Sequence, residues 1–444
     1  MVVHAVGPRP DHVAAMSGIA SSSAAADRQR GAKHLQPDNR CAYRHRPSRY
    51  PIVGSAMKEP RPAQLDCAVL GLGSCGLDTL ALVDSFPAPD EKIRARRLLI
   101  QGGGNCANAL TAAARLGAPV AIISKAGSDA AGSSIEAELQ GEGIDTQCLL
   151  FSKTGPSPTT YIIVDAAGGT RTCIHSPGED MTAVEGEALG LERGVVLSSA
   201  TKLVFLDGRH PEAAVQLLGG AHARGIPVLV EAEKPRPGLD VLLQGAQYVY
   251  TNATFPKTWT QELSLGSALL CMLGRLTSAR WLVTTLGPSG LVAFQRQEGS
   301  GEPIGSGADL DRLMQKLWGE ADARRKGIEG SEEAACTALN GSLVRVGACA
   351  SGHLQLQDGT GFGVLVHQAA SLETEVVDTT GAGDAFLGSL LVSVSVGASL
   401  EAAAKLGTVV AAAKCTELGA RTGMPHLAQL HPSLQGVLES RRAA

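Results

Sequence analysis

The sequence predicts an α/β chain: a central, mainly parallel β-sheet flanked by helices, with a small β-sheet lid over it. Three observations lead there. From Leu65 onward, short apolar β-branched runs alternate with alanine-rich stretches of helical character. Two hairpin patterns interrupt that alternation. Glycine reaches 53 of 444 residues, above the ordinary level of about 7%, with no collagen period and too much apolar content for disorder, so it belongs in loops.

Strands are expected at Cys67–Leu70, Val120–Ser124, Leu203–Leu206, Pro227–Val230, Tyr248–Thr251 and Trp281–Thr285. Helices are expected at Asn105–Leu116, Ala130–Gly141, Pro211–Arg224, Ser264–Thr277, Gly383–Val396 and Leu400–Leu418. Sequential βα units of this size wind into one open sheet with helices on both faces. Leu77–Phe86 and Ile93–Gln101 flank a Pro-Ala-Pro-Asp turn, and Thr159–Val164 with Arg171–His175 flank a glycine-bearing one, which places lid strands near 77–101 and 159–175. The polar, Gly/Ser-rich segment 296–350, with a helical island at Leu310–Arg325, reads as a surface insertion within a domain spanning 63–440.

Residues 1–62 differ in composition. Arg9, Arg28, Arg30, Lys33, Arg40, Arg44, Arg46 and Arg49 face only Asp11, Asp27 and Asp38 up to residue 57, the make-up of an organelle transit peptide or of a disordered tail. The ten cysteines never form C-x-x-C, so neither a zinc site nor a disulfide framework is indicated. No apolar run is long enough to span a bilayer, and an intracellular setting is expected, with plastid or other organelle import through the tail as the alternative to the cytoplasm. A formal charge of −4 and 3% aromatic residues argue against a nucleic-acid partner, and no membrane partner is expected.

The sharpest motif is Val376–Leu387, VVDTTGAGDAFL: a strand end, then Asp378, Thr379, Thr380, Gly381, Ala382, Gly383 and Asp384, then an apolar helix. Glycines opening a helix expose N–H groups at its positive end, an anion hole suited to a phosphoryl group in transfer. Asp384 beside that hole can take the proton from an attacking alcohol. The plainer reading is an acid that only complements a helix N-terminus. A second motif, Gly71-Leu72-Gly73-Ser74-Cys75-Gly76, satisfies the dinucleotide pattern G-x-G-x-x-G after a strand, with Asp90 or Glu91 at ribose distance, and keeps an NAD-binding oxidoreductase open. The β-leaning run Asp78–Asp84 that follows leaves little room for the helix such a site needs.

D-T-T-G-A-G-D-A-F resembles the C-terminal signature of the ribokinase-like (pfkB) carbohydrate kinase family. Gly102–Ala109, with Arg115-Leu116-Gly117 and Gly127-Ser128-Asp129, resembles its N-terminal signature, and Thr285-Leu286-Gly287-Pro288-Ser289-Gly290 its nucleotide segment. Gly76-Leu77-Asp78 before Val83-Asp84-Ser85-Phe86-Pro87, with Asp90 and Lys92-Ile93-Arg94, is similar to the lid strands of ketohexokinases and plant sugar kinases of that family. The resemblance implies a three-layer ribokinase-like fold and ATP-dependent phosphorylation of a sugar hydroxyl, first a ketohexose such as fructose, with a nucleoside as the alternative. It implies Asp384 as base with Gly381, Ala382 and Gly383 as anion hole. Asp78, Gly104, Asn105, Asn108 and Arg171 are placed on substrate, and Asn252, Thr285, Gly287, Gly290, Lys414 and Gly423 on the nucleotide. It further implies Mg²⁺ on the phosphates, a monovalent cation such as K⁺ near Asp378, and a homodimer through the lid strands. No residue is assigned as a metal ligand, because the family's N-x-x-E motif stands here as Asn252-Ala253-Thr254-Phe255.

Overall fold

The computed structural model describes residues 64–299, 301–328, 336–339 and 341–439; the expected tail at 1–62 lies outside them. The chain runs β1 (Val69–Leu72), β2 (Gly76–Val83), β3 (Arg97–Gly103), α1 (Asn105–Arg115), β4 (Val120–Gly127), α2 (Ala130–Gly141), β5 (Asp145–Ser152), β6 (Thr159–Asp165), β7 (Thr170–Ser176), α3 (Ala183–Ala188), β8 (Leu203–Leu206), α4 (Pro211–Ala223), β9 (Val228–Ala232), α5 (Leu239–Gly245), β10 (Tyr248–Asn252), α6 (Phe255–Thr260), α7 (Leu265–Arg275), β11 (Trp281–Thr285) and β12 (Leu291–Gln297). It continues through β13 (Glu302–Pro303), α8 (Gly307–Ile328), β14 (Cys336–Leu339), β15 (Ser342–Arg345), β16 (Cys349–Gln355), β17 (Gly361–His367), β18 (Ser371–Leu372), α9 (Ala382–Ser395), α10 (Leu400–Lys414) and α11 (Pro432–Glu439).

The main sheet has the order β13-β16-β17-β12-β11-β10-β9-β8-β1-β4-β5. From β5 to β11 it is parallel; β12, β17 and β16 extend it antiparallel. Strands covered on both faces read as continuous apolar runs rather than alternating ones. Leu70, Leu72, Val204 and Leu206 point into one core with α4, α5, α7 and α8, while Val69, Leu203 and Phe205 point into the other with α1, α9 and α10. Local signals start the helices: Asp129 caps α2, Ser264 caps α7, Ser399 caps α10, and Pro211 opens α4.

Three expectations change. The first strand lies two residues later than expected, at Val69–Leu72, and β2 opens at Gly76, so the 71–76 motif leads into a strand and not a helix. The dinucleotide reading falls with that. A Cβ on Gly71 would stand 2.7 Å from Leu110 Cδ1, and one on Gly73 2.3 Å from Asp207 Oδ1: these glycines admit α1 and Asp207. The last long helix ends at Lys414, not Leu418. The 296–350 segment is not only surface: α8 is 22 residues long and buries Leu310, Leu313, Met314, Leu317 and Ala321 in the core with α7. Its apolar positions recur at i, i+3, i+4 and i+7 within a polar background, the pattern of a helix with one packed face.

The lid sheet, β3-β2-β6-β7, sits apart. Leu80, Ile162 and Val164 on its inner side pack with Leu418, whereas Leu98, Ile100, Tyr161 and Ile174 leave its outer side apolar and exposed. No helix among the described residues is long and apolar enough to cross a membrane.

Candidate active site

A cavity of about 550 Å³ lies between the lid and the C-terminal ends of the parallel strands, where the loops of such sheets bind ligands. Asp78, Gly104, Asn105, Asn108, Arg171, Asn252, Thr285, Gly381, Gly383 and Asp384 all line it.

Asp384 stands in the first turn of α9, whose N-cap Gly381 takes φ +76°; a Cβ there would be 2.6 Å from Ala420 O. Only glycine makes that turn without strain. Ala382 N–H donates to Thr379 O, which removes it from the expected anion hole; the N–H groups of Gly381 and Gly383 have no protein acceptor among the described residues. Asn108 Nδ2 donates to Asp384 Oδ2 at 2.8 Å, leaving Oδ1 to the cavity. Burial pushes the Asp384 carboxyl up to about 7; Glu233 and Asp78 push the same way, and Asn108 and Arg421 pull against them.

Asp78 projects from β2 beside Thr160 of β6, and burial raises it to about 6. It fits because position 103 is glycine: a Cβ there would meet its carboxylate at 2.3 Å. Asn105, one turn before Asn108 on α1, donates to Glu231 Oε1 at 3.3 Å. Arg171 reaches from β7 to Thr379 Oγ1 at 2.6 Å and ties the lid to the 378–384 loop.

On the nucleotide side the expected residues divide. Thr285 meets the Tyr250 hydroxyl at 3.3 Å, and Tyr250 also reaches Gly383 O. Asn252 donates to Glu233 O and accepts from Thr254 N and Phe255 N, the pattern of a turn that starts α6. Phe255 is buried in the core against Trp259. Gly287, Gly290, Gly423 and Lys414 do not line the cavity. Gly290, at φ +106°, turns β11 into β12, and a Cβ on Gly423 would stand 2.5 Å from Lys414 O. Lys414, expected near adenine, is fully buried: Nζ donates to Asp378 O at 2.7 Å and Glu417 O at 3.3 Å.

Three residues with no sequence signal of their own complete the site. Glu231 on β9 is held well above the usual carboxylate range by burial and by Asp384 and Asp207. Asp207 accepts from Ser74 N, Ser74 Oγ and Cys106 N, fixing the start of α1. Arg421 contacts Asn108, Glu138 and Gly103. The glycines at 102–104 lead into this network, but nothing in the sequence pairs them with residue 421.

The sequence pattern of the pfkB family carbohydrate kinases matches residues 67–305 and 358–427. Mouse ketohexokinase is 24% identical over 357 residues, 78% of this chain and 95% of the mouse protein. The structure of Arabidopsis thaliana ribokinase complexed with ribose and ATP superposes at TM-score 0.56 with 18% identity, over 84% of this chain and 99% of that one. Burkholderia thailandensis nucleoside kinase in complex with inosine does so at 0.55 with 16% identity, over 85% and 99%. With its ribokinase-like layers and a family pattern that covers well over half its length, the chain belongs to the pfkB family of carbohydrate kinases.

Proposed function

We propose that the chain transfers the γ-phosphoryl group of ATP to a hydroxyl of a small sugar, with a ketohexose such as fructose as first candidate. The observation that carries this reading is Asp384 in the first turn of α9: one oxygen held by Asn108, the other open to the cavity, beside the unsatisfied N–H groups of Gly381 and Gly383. Asp384 Oδ1 takes the proton as the hydroxyl oxygen attacks phosphorus. The two N–H groups and the positive end of α9 oppose the charge gathering on the transferred group. Arg171, bonded to Thr379, closes the lid over the phosphates and excludes water.

A sugar suits the acceptor end better than a nucleoside. Among the described residues Tyr250 is the only Phe, Tyr or Trp ring on the cavity wall, and its face is stacked on Phe386. Asp78, Asn105 and Asn108 instead supply the short donors and acceptors that match a diol. Magnesium belongs on the nucleotide's own phosphates: position 255 is a core phenylalanine, and no group of three His, Cys, Asp or Glu among the described residues is arranged to hold a metal. For a monovalent cation near Asp378 the residues do not fit. The Lys414 ammonium already binds Asp378 O, and the carboxylate oxygens take Thr380 N, Thr380 Oγ1 and Gly419 N. We infer that this tethered charge stands in for a free ion.

The exposed row Ile100, Tyr161 and Ile174 on the lid's outer side supports the homodimer, a second copy covering this face. Sedimentation should give twice the chain mass, and Tyr161→Lys should give the monomer; a wild-type monomer rejects the dimer. The function is tested by an ATP-consumption panel of sugars and nucleosides with wild type and Asp384→Asn. The variant is expected to lose ~10²-fold or more in kcat while still binding sugar. Unchanged turnover removes Asp384 from its role, and turnover confined to nucleosides replaces the acceptor.

A further inference from the structure

Between the last long helix and α11, Arg421 is 2% exposed, yet it is bonded on three sides. Nε donates to Asn108 Oδ1 at 2.8 Å, Nη2 to Gly103 O at 3.2 Å, and Nη1 to Glu138 Oε1 at 3.0 Å. Glu138 Oε2 in turn accepts from Gly102 N at 2.5 Å. The backbone behind the arginine is held as well, since Arg115 Nη1 donates to Arg421 O and Met424 O while Arg115 pairs with Glu142. One guanidinium therefore joins α1, α2 and the substrate loop, and Asn108 passes the connection on to Asp384.

The chemistry of Asn108 gives this arrangement a direction. An asparagine amide has one accepting and one donating end, and either can face a neighbour. A guanidinium only donates, so its bond to Oδ1 forces Nδ2 to point the other way, toward Asp384 Oδ2. A carboxylate that accepts this bond is stabilised in its charged form and keeps Oδ1 aimed at the acceptor.

We propose that Arg421 is a positioning residue for phosphoryl transfer: through Asn108 it orients and ionises the catalytic carboxylate, and through Gly103 and Glu138 it sets the substrate loop. This rests on the kinase reading above. Around Asp384 stand Asp78 from β2, Cys106 from α1, Glu231 and, just past it, Glu233 from the β9 end, Tyr250 from β10, and Lys414 from α10. Against those carboxylates Asn108 and Arg421 draw Asp384 down. Burial of the Arg421 guanidinium is offset by its bonds, among them the ion pair with Glu138: removing one partner leaves the other uncompensated.

The test is steady-state kinetics across pH on wild type, Arg421→Met, Asn108→Leu and the double variant, using whichever sugar wild type phosphorylates. If wild type phosphorylates none, the kinase reading falls first and on its own evidence. With a sugar in hand, Arg421→Met should lower kcat roughly tenfold and move the acid limb of kcat to higher pH, with KM for ATP within about twofold of wild type. In the Asn108→Leu background the same change should cost less than about threefold, because the residue it acts through is gone. A folded Arg421→Met with wild-type kcat and pH profile overturns the proposal, and so does a loss of equal size in both backgrounds. Should Arg421→Met fail to fold, Glu138→Gln and Arg421→Lys carry the same readouts: a shifted acid limb supports the role, and an unshifted limb in both rejects it.

Discussion

The two halves of the cavity are built differently. On the acceptor half, Asp78, Asn105, Asn108, Glu231, Asp384 and Arg421 form a buried network in which each side chain sets the orientation or charge of the next. On the nucleotide half, Gly287, Gly290, Lys414 and Gly423 shape the backbone from outside the cavity, and of the expected residues only Asn252 and Thr285 reach its wall. Under the proposed function the contrast follows from what each half would bind. Phosphates are met by N–H groups and dipoles that any residue carries, whereas a sugar's hydroxyls must be told apart by donors and acceptors fixed in place. A network of buried polar groups is brittle, because losing one member leaves its partners unsatisfied.

Three outcomes would break or sharpen that contrast. Largest is the acceptor half: Asn108→Leu should lower kcat/KM by ~10²-fold, since it removes the bond that keeps Asp384 charged. The pH dependence has a definite sign. The base must be ionised, and its carboxyl lies at about 7, so wild-type kcat/KM should climb as pH rises through neutrality. In Asn108→Leu the rise should come at higher pH, because a group that lowered the carboxyl is lost; an unmoved profile would show that Asn108 does not tune it. Smaller is the nucleotide half: Gly290→Ala strains a residue at φ +106° and drives its Cβ onto His367 O. KM for ATP should rise roughly tenfold with the sugar KM unchanged, and equal rises in both would erase the division. Smallest is the cation: replacing KCl with choline chloride at constant ionic strength should change wild-type kcat by less than about twofold. Lys414→Ala should acquire a K⁺ requirement and a K⁺-specific rise in Tm. A strong K⁺ requirement in wild type would rule out the tethered ammonium as the substitute.

Much of the 378–384 loop was legible because its signals are local. D-T-T-G-A-G-D places a glycine turn, a helix N-terminus and a carboxylate within seven residues, and α9 begins where those signals say. Strands such as Tyr248–Asn252 and Trp281–Thr285 were legible because burial on both faces leaves continuous apolar runs. Lys414 was expected on the nucleotide because it stands before the turn that holds Gly423, and only the end of α10 turns its stem inward. The packed face of α8 was hidden by the polar residues around it, whose partners on α7 and β16 lie far along the chain.

The sequence by itself determined the alternation of strands and helices, the lid hairpins and the place of Asp384 at a helix start, since propensity, capping and glycine conformation act over a few neighbouring residues. Only the tertiary structure decided how that carboxylate is held. Arg421 and Asn108 are 313 positions apart and meet within 2.8 Å because α1 and the turn after α10 pack over the same end of the sheet. A hydrogen bond of that kind has no period, spacing or composition to betray it; it exists only once the chain has closed on itself.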